Sequence, residues 1–571
     1  MSILISKNEF EGSIRINEYF INELHSVYKE RYFYFLTGEV FSCEVEQLIE
    51  ISINLDKIKA EQVVGEFSLV VYDSISDVIY FLNDKSGREL TYYSMKNEFS
   101  ISNSFWSIVH HDKYLLADVD ITEMKTQLFF NASTTYKTIL NGLSVFENSI
   151  LAKYENSSLS IEQYWEFRLS VNELSRDEKY DALDTALTSS FKYIKNKNID
   201  STIYGIGVSG GMDSRIIPHY AKQLKMPLKS FIIGQEKPNI FWKSNDHSSS
   251  DLVVEYFELE HRKLDFNELS YEEKNNLDCV NAPICSSQVF KIPEIKKCNF
   301  DVLLTGASGF IVGSSPFYSK NRTLNLLDTI FSQQSDLKFK VNNYKLKKGF
   351  NYLFGNVFDL QDKLPLEIEG VISKKEIEDI KSSVETYLTK FKGASETEKL
   401  MNYAIGILGQ KNKSGAFESI INQKKNYTPY TPFLLNVVET WNEDDIYDRK
   451  LFEGFIRDRL PELANIKQQN HKTAVDIYKP NVLQKISSLA FYVLKGQGVM
   501  NYNNWAKKKD FTDYVALELE KYNHISDYID IEIIQSLVKS NKINSDVLAN
   551  CMKMNRILFL IDSVEDVYGL D

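Results

Sequence analysis

The sequence contains no C-x-x-C pair. Its five cysteines, Cys43, Cys279, Cys285, Cys298 and Cys551, stand apart, which argues against a zinc site and reads as buried free thiols in a reducing cytoplasm. No apolar run reaches the roughly 18 residues that a membrane span needs. Lys7, Glu9 and Glu11 interrupt the N-terminus where a signal peptide would be apolar. Basic residues are in deficit: 66 Lys and Arg against 79 Asp and Glu give a net charge of −13. That excludes a general nucleic-acid binder while leaving room for a local basic patch. The reading is a cytoplasmic protein with neither nucleic acid nor membrane as partner. The eight histidines are scattered, and His110-His111 reads as a surface or strand-end pair. No G-x-x-x-x-G-K-[ST] spacing occurs, so a Walker loop is absent.

What is there is an ordinary globular composition, 43% hydrophobic and 25% charged over 571 residues, enough for two or three domains with their own cores. The most informative stretch is Ile203–Ile217, I-Y-G-I-G-V-S-G-G-M-D-S-R-I-I. Its first six residues suit a buried parallel strand. Ser209, Gly210, Gly211, Met212, Asp213 and Ser214 then form a Gly-rich turn, and Ile216, Ile217, Tyr220, Ala221 and Leu224 make a helical stripe. A strand, turn and helix in that order aim backbone N–H groups and a helix N-terminus at one point, which is how phosphate is held. Asp213 would repel a polyphosphate unless a cation lay between them. The simplest reading gives it Mg²⁺, which reaches protein through one or two carboxylates and substrate phosphates.

S-G-G-M-D-S resembles the pyrophosphate loop of the ATP pyrophosphatases, which cleave ATP to AMP and pyrophosphate. Other phrases resemble asparagine synthetases. Gly65–Asp73 (G-E-F-S-L-V-V-Y-D), Asn83–Tyr93, Phe99–Ser104, Asn141–Ser149 and Gln163–Trp165 are similar, in order and spacing, to the glutaminase half of that family. The resemblance implies a two-domain α/β protein with C-terminal helices. Residues 1–170 would be a degenerate Ntn-hydrolase-like (αββα) domain. Residues 171–475 would be a parallel-sheet ATP-pyrophosphatase domain of the adenine nucleotide α-hydrolase-like kind. Residues 476–571 would be a helical extension closing that domain.

The glutaminase half departs from the family at both catalytic positions. Ser2 stands where the family has its nucleophilic Cys, and Thr37 replaces the amide of N-G-E in L-T-G-E-V-F. Losing one oxyanion donor costs roughly 3–4 kcal/mol of transition-state stabilisation. This half therefore reads as a scaffold without glutaminase activity, a Ser2 nucleophile being the lesser alternative.

The capping box Ser175/Glu178 opens a helix with the stripe Tyr180, Leu183, Ala186, Leu187, Phe191 and Ile194. Leu228–Ile233 is the next strand, and the resemblance puts its end, Ile233, by the adenine. Asp246–His261 resembles the helix that follows. Asp301–Thr305 is a strand leading into G-A-S-G-F-I-V-G-S-S, where the family has S-G-E-G-A-D-E-I-F-G-G. Gly306 matches the glycine that contacts ATP. Ala307 replaces an acidic or aromatic residue, and no acid stands at the second metal-ligand position before Gly313. Either Asp246, Asp251 or Asp278 substitutes, or the ATP chemistry is weakened or lost. The Lys338–Lys348 basic run reads as a solvated face.

Tyr430–Asn436 resembles the family's V-P-F-L-D. Asp448–Pro461 resembles its G-K-Y-L-L-R…L-P, which puts Lys450 at the lysine that stabilises charge during amide formation. The resemblance thus implies ATP and Mg²⁺ as cofactors, with Val208, Ser209, Gly210, Gly211, Asp213, Ser214, Ile233 and Gly306 around the nucleotide, Asp213 on the metal and Lys450 catalytic. The implied reaction is amide formation through an acyl-adenylate. A dead glutaminase half turns the expectation toward a substrate carrying its own amine, as in lasso-peptide macrocyclases and β-lactam synthetases. The partner is then a carboxylate-bearing substrate such as a precursor peptide with a leader-processing protein. An asparagine synthetase or amidotransferase using free ammonia, and a non-catalytic homologue, are the alternatives.

Overall fold

The computed structural model describes residues 4–6, 14–16, 19–21, 26–96, 99–111, 118–130, 133, 135–170, 174–209, 211–233, 246–264, 270–281, 298–306, 309–313, 371–408, 425–466, 509–539 and 545–562. Ser2, Gly210, Ala307, Cys285 and the Lys338–Lys348 run lie outside them, as do the side chains of Ile233, Asp246 and Asp278.

Among the described residues, twelve strands fill the first part: β1 (Leu4–Ser6), β2 (Ile14–Ile16), β3 (Tyr19–Ile21), β4 (Ser26–Tyr28), β5 (Tyr32–Val40), β6 (Gly65–Asp73), β7 (Val78–Asn83), β8 (Tyr92–Ser94), β9 (Ser100–Ser102), β10 (Leu143–Val145), β11 (Ile150–Glu155) and β12 (Ser158–Gln163). They form two antiparallel six-stranded sheets, β10-β8-β9-β1-β3-β2 and β12-β11-β7-β6-β5-β4. The apolar run of β6 follows from burial on both faces. Val70 and Tyr72 enter a core with Ile5, Phe99, Ile101 and Phe146 from the other sheet, while Phe67, Leu69 and Val71 face the rest of the chain.

Five parallel strands form the third sheet: β13 (Tyr204–Gly207), β14 (Leu228–Ile233), β15 (Glu260–Leu264), β16 (Val302–Leu304) and β17 (Lys425–Tyr427), in the order β15-β14-β13-β16-β17. Two successive connections step outward from β13 on one side, and the chain then returns to its other side. The order therefore reverses between β13 and β16, where a crevice opens at the carboxyl ends of an α/β sheet.

The helices that matter below are α1 (Ile121–Phe130), α2 (Arg176–Asn196), α3 (Met212–Gln223), α4 (Asp246–Phe257), α5 (Thr431–Val438), α6 (Lys450–Arg459) and α7 (Pro461–Ala464). At the start of α2 the capping box is made, and all six residues of the expected stripe are buried. Helix α4 stops a turn earlier than the sequence pattern suggests. Glu258 adopts a left-handed conformation (φ 51°) that ends the helix, and His261 falls on β15 instead.

Packing ignores the expected boundary near residue 170. One apolar core joins Val40, Leu48, Phe67 and Leu151 to Ile206, Val208, Leu304 and Leu434. The C-terminal helices Lys509–Tyr522, Ile531–Lys539 and Ser545–Asp562 share a second core with Tyr92, Trp106, Met124 and Leu128. They were expected to close the synthetase part; they pack against the N-terminal part as well, and Asn550 Nδ2 donates to the Leu128 carbonyl (2.9 Å). Cys279, Cys298 and Cys551 are buried, reduced cysteines and Cys43 is half-buried. No helix among the described residues is long and apolar enough to cross a membrane.

Glu123 of α1 is buried, and burial pushes its carboxyl from an ordinary 4.5 up to about 8, against hydrogen bonds from Gln127 and Ser133. A raised folded-state value contributes stability that is complete below 4.5 and is lost as pH rises through about 8. The urea midpoint of the parent should fall across that window, and that of Glu123→Gln should fall less. Equal slopes for the two proteins would show that Glu123 does not titrate there.

Candidate functional site

The strand β13 delivers its turn to the crevice where the sheet order reverses. Val208 is buried, and its N–H donates to the Phe231 carbonyl at 2.9 Å, extending the β13–β14 ladder to the mouth of the turn. The turn is then closed by its own serines. Ser209 N donates to Ser214 Oγ (3.1 Å), Ser214 Oγ to the Ser209 carbonyl (2.9 Å) and Gly211 N to Ser209 Oγ (3.1 Å). Gly211 is the N-cap of α3, in extended conformation. Backbone donors at 209 and 211 thus point at hydroxyl oxygens, acceptors that an anion would exceed in strength.

Asp213, in the first turn of α3, is held from three directions. The Arg449 guanidinium grips its carboxylate as a fork, Nη2 on Oδ1 and Nη1 on Oδ2 (3.3 Å). The fully buried Tyr430 hydroxyl donates to its backbone carbonyl (2.7 Å). Behind β16, Gly309 comes so close that a Cβ there would lie 2.5 Å from Oδ2, so only glycine fits. Four residues on, Gly313 has φ +86° and packs against the Ile446 carbonyl. Gly306, Gly309 and Arg449 therefore close on Asp213 together.

Arg449 is the residue that the sequence pattern missed. It is 7% exposed, lies over the Phe452 ring (4.7 Å) and caps α6 in the left-handed region (φ 59°, ψ 28°). That conformation costs a non-glycine residue roughly 1 kcal/mol and persists because packing and the ion pair over-determine it. Burial disfavours the guanidinium charge, but Asp213 and Glu453 more than restore it, so its pKa is raised. Lys450, the expected catalytic lysine, points the other way. Its side chain is 52% exposed and meets Asp444 at 3.5 Å, a surface pair of little energetic weight. The signal was periodicity: Phe452, Phe455 and Ile456 are the buried stripe of α6, and Arg449, three before Phe452 and seven before Ile456, continues it where Lys450 does not.

Arg215 is a second missed residue. Its guanidinium, wholly buried in α3, donates to the carbonyls of Gly211 (3.3 Å), Leu463 (3.0 Å) and Ile466 (2.8 Å), tying the turn to the end of α7. Burial pushes it down to about 10.

Of the expected nucleotide residues, the structure brings Ser209, Gly211, Asp213, Ser214 and Gly306 together, a Cβ on Gly306 standing 3.3 Å from that of Asp213. Ile233 ends β14, and Gly210 lies outside the described residues. The metal expected on Asp213 does not fit these residues as they stand. Its nearest partner is a guanidinium, and among the described residues no three His, Cys, Asp or Glu gather into a possible metal site. Asp251 is engaged elsewhere, with Lys263 at 3.0 Å.

Removing one member of a buried ion pair strands the other. Asp213→Ala should destabilise the protein by about 3 kcal/mol, because Arg449 is then buried without its partner. Arg449→Met should cost less, since Asp213 is partly exposed. In chemical denaturation the double variant should fall short of the sum of the singles by at least about 1 kcal/mol; simple additivity would mean that the pair is energetically idle.

Residues 195–446 match the family model described as asparagine synthase. No curated protein matches the chain. Among solved structures the chain is similar to glutamine phosphoribosylpyrophosphate amidotransferase from B. subtilis complexed with ADP and GMP, at 10% identity and a TM-score of 0.14. That likeness covers 39% of this chain and 50% of the other, so the chain spans about half the length of the structure it matches, and at that score it carries no argument. The matched span contains the switch-point turn, Gly306, Gly309 and Tyr430, and ends three residues before Arg449. Residues 195–446, less than half of the chain, therefore carry an asparagine synthase-type domain.

Proposed function

We propose that this chain is an ATP-dependent carbon–nitrogen ligase whose polyphosphate site is the Ser209–Ser214 turn. The observation that carries the reading is a Gly- and Ser-built turn at the sheet's switch point, with a buried arginine beside it. In the reaction, a substrate carboxylate oxygen attacks the α-phosphorus of ATP and the bond to the β-phosphate oxygen breaks, releasing pyrophosphate. An amine nitrogen then adds to the acyl carbon, loses a proton, and AMP departs with the C–O electron pair. Both steps develop negative charge at phosphate oxygens. Backbone donors at 209 and 211 and the α3 N-terminus would meet that charge, with Arg449 behind them as the fixed cation. Arg449 supplies the charge balance at Asp213 that a metal would otherwise supply, and no step is assigned to Mg²⁺.

The amine belongs to the substrate in this reading. By the sequence resemblance Thr37 would replace the family's oxyanion amide, and its hydroxyl donates to the Ser68 carbonyl (3.3 Å). A peptide or specialised metabolite bearing both carboxylate and amine, such as a precursor peptide delivered with a leader-processing protein, suits that chemistry. Free ammonia as the amine is the variant of the same reading. One observation favours a non-catalytic homologue instead: Asp213 is already closed by Arg449, and among the described residues no three His, Cys, Asp or Glu gather into a metal site there.

Calorimetry with ATP, with Mg²⁺ and again in EDTA, separates the two. A ligase binds ATP in the parent protein, loses roughly tenfold or more in affinity in Arg449→Met, and is unchanged in Lys450→Met. Pyrophosphate release with ATP and peptides encoded beside the gene should follow the same ranking. No ATP binding under either condition overturns the proposal and leaves the non-catalytic reading.

A further inference from the structure

We infer that the N-terminal sheets have become a clamp that positions the phosphate turn, acting through helix α5. The inference rests on the proposed role of that turn, but its evidence is separate. Glu39 and Glu66 face each other across the β5–β6 ladder, an arrangement in which two like charges repel. Each is answered by a hydroxyl from the segment between β17 and α5. Tyr427 donates to Glu39 Oε1 (2.7 Å) and Thr428 to Glu66 Oε1 (2.7 Å). Arg88 Nη1 holds both oxygens of Glu66 (3.0 and 3.1 Å), and Glu66, Arg88 and Thr428 are all buried. Glu39 belongs to the T-G-E phrase that the sequence resemblance sets against the glutaminase N-G-E, and its strand pair receives bonds from the end of β17.

The far end of α5 is held by the same sheets. Lys85 Nζ donates to Asn436 Oδ1 (2.7 Å), Trp165 Nε1 to Glu439 Oε1 (2.8 Å) and Ser170 N to the Glu439 carbonyl (2.6 Å). Between these anchors lies Tyr430, the N-cap of α5, whose hydroxyl grips the Asp213 carbonyl. Two anchors fix the axis and position of the helix, and its first residue fixes the turn. Thr428 is therefore a positioning residue for a site it does not touch.

Hydrogen exchange at the amides of residues 208–216 reads the clamp directly and needs no nucleotide. Thr428→Val keeps the shape and removes the donor, so exchange in that segment should rise roughly tenfold. Thr428→Ser keeps the hydroxyl and should stay near the parent. Tyr427→Phe, which loses a half-buried bond, should show a smaller rise and serves if Thr428→Val fails to fold. ATP affinity by calorimetry should fall in Thr428→Val and return in Thr428→Ser. Parent-like exchange at 208–216 in both Thr428→Val and Tyr427→Phe overturns the clamp. A parent that binds no ATP while the exchange pattern holds overturns only the ligase reading.

Discussion

A single ion pair, Arg449 on Asp213, organises the region around the switch point. Its fork geometry demands that α3 and α6, elements more than two hundred residues apart, meet with their first turns facing. That demand explains several otherwise costly local choices. Arg449 accepts a left-handed backbone, Gly309 gives up any side chain, and Gly313 turns where only glycine turns cheaply. Each is a small local penalty that holds because the surrounding packing leaves no alternative.

The same pair sets the electrostatic character of the site. A lone carboxylate at the mouth of a phosphate-binding turn repels its ligand; a carboxylate closed by a guanidinium does not. The turn is self-satisfied through Ser209 and Ser214, so an arriving anion would exchange neutral acceptors for charged ones without first exposing unpaired donors. Arg215 holds the other flank by linking the turn to the end of α7, its buried charge supported by three carbonyls. Rigidity around the turn thus comes from long-range contacts added to its own serine bonds.

The N-terminal sheets fit this picture as a support. Their inner core is a closed sandwich, while their outer face shares an apolar core with the parallel sheet and carries the polar anchors of α5. The opposed glutamates are answered from both parts of the chain, Glu66 by Arg88 and Thr428 and Glu39 by Tyr427. This makes the two parts of the chain mutually dependent: the sheets need the hydroxyls of Tyr427 and Thr428, and the turn needs the helix those residues introduce.

Local chemistry made much of this legible in advance. The Gly-Ser turn between an apolar strand and a helical stripe, the capping box at Ser175 and the doubly buried run of β6 follow from short-range rules of burial, capping and backbone freedom. Those rules act within one element, so residues 203–217 specify a strand, a Gly-Ser turn and a helix wherever the rest of the chain goes. Which side chain would face Asp213 could not be read that way. Motif matching set a metal on Asp213 and made Lys450 the catalytic lysine, whereas the buried stripe of α6 turns Arg449 onto Asp213 and leaves Lys450 half-exposed. The end of α4 at Glu258, the shared core across residue 170 and the C-terminal helices resting on α1 also belong to the tertiary structure. The sequence by itself determined the turn and the elements on either side of it. Only the folded chain decided what charge stands beside that turn and what holds it still, because both depend on contacts between residues that share no local pattern.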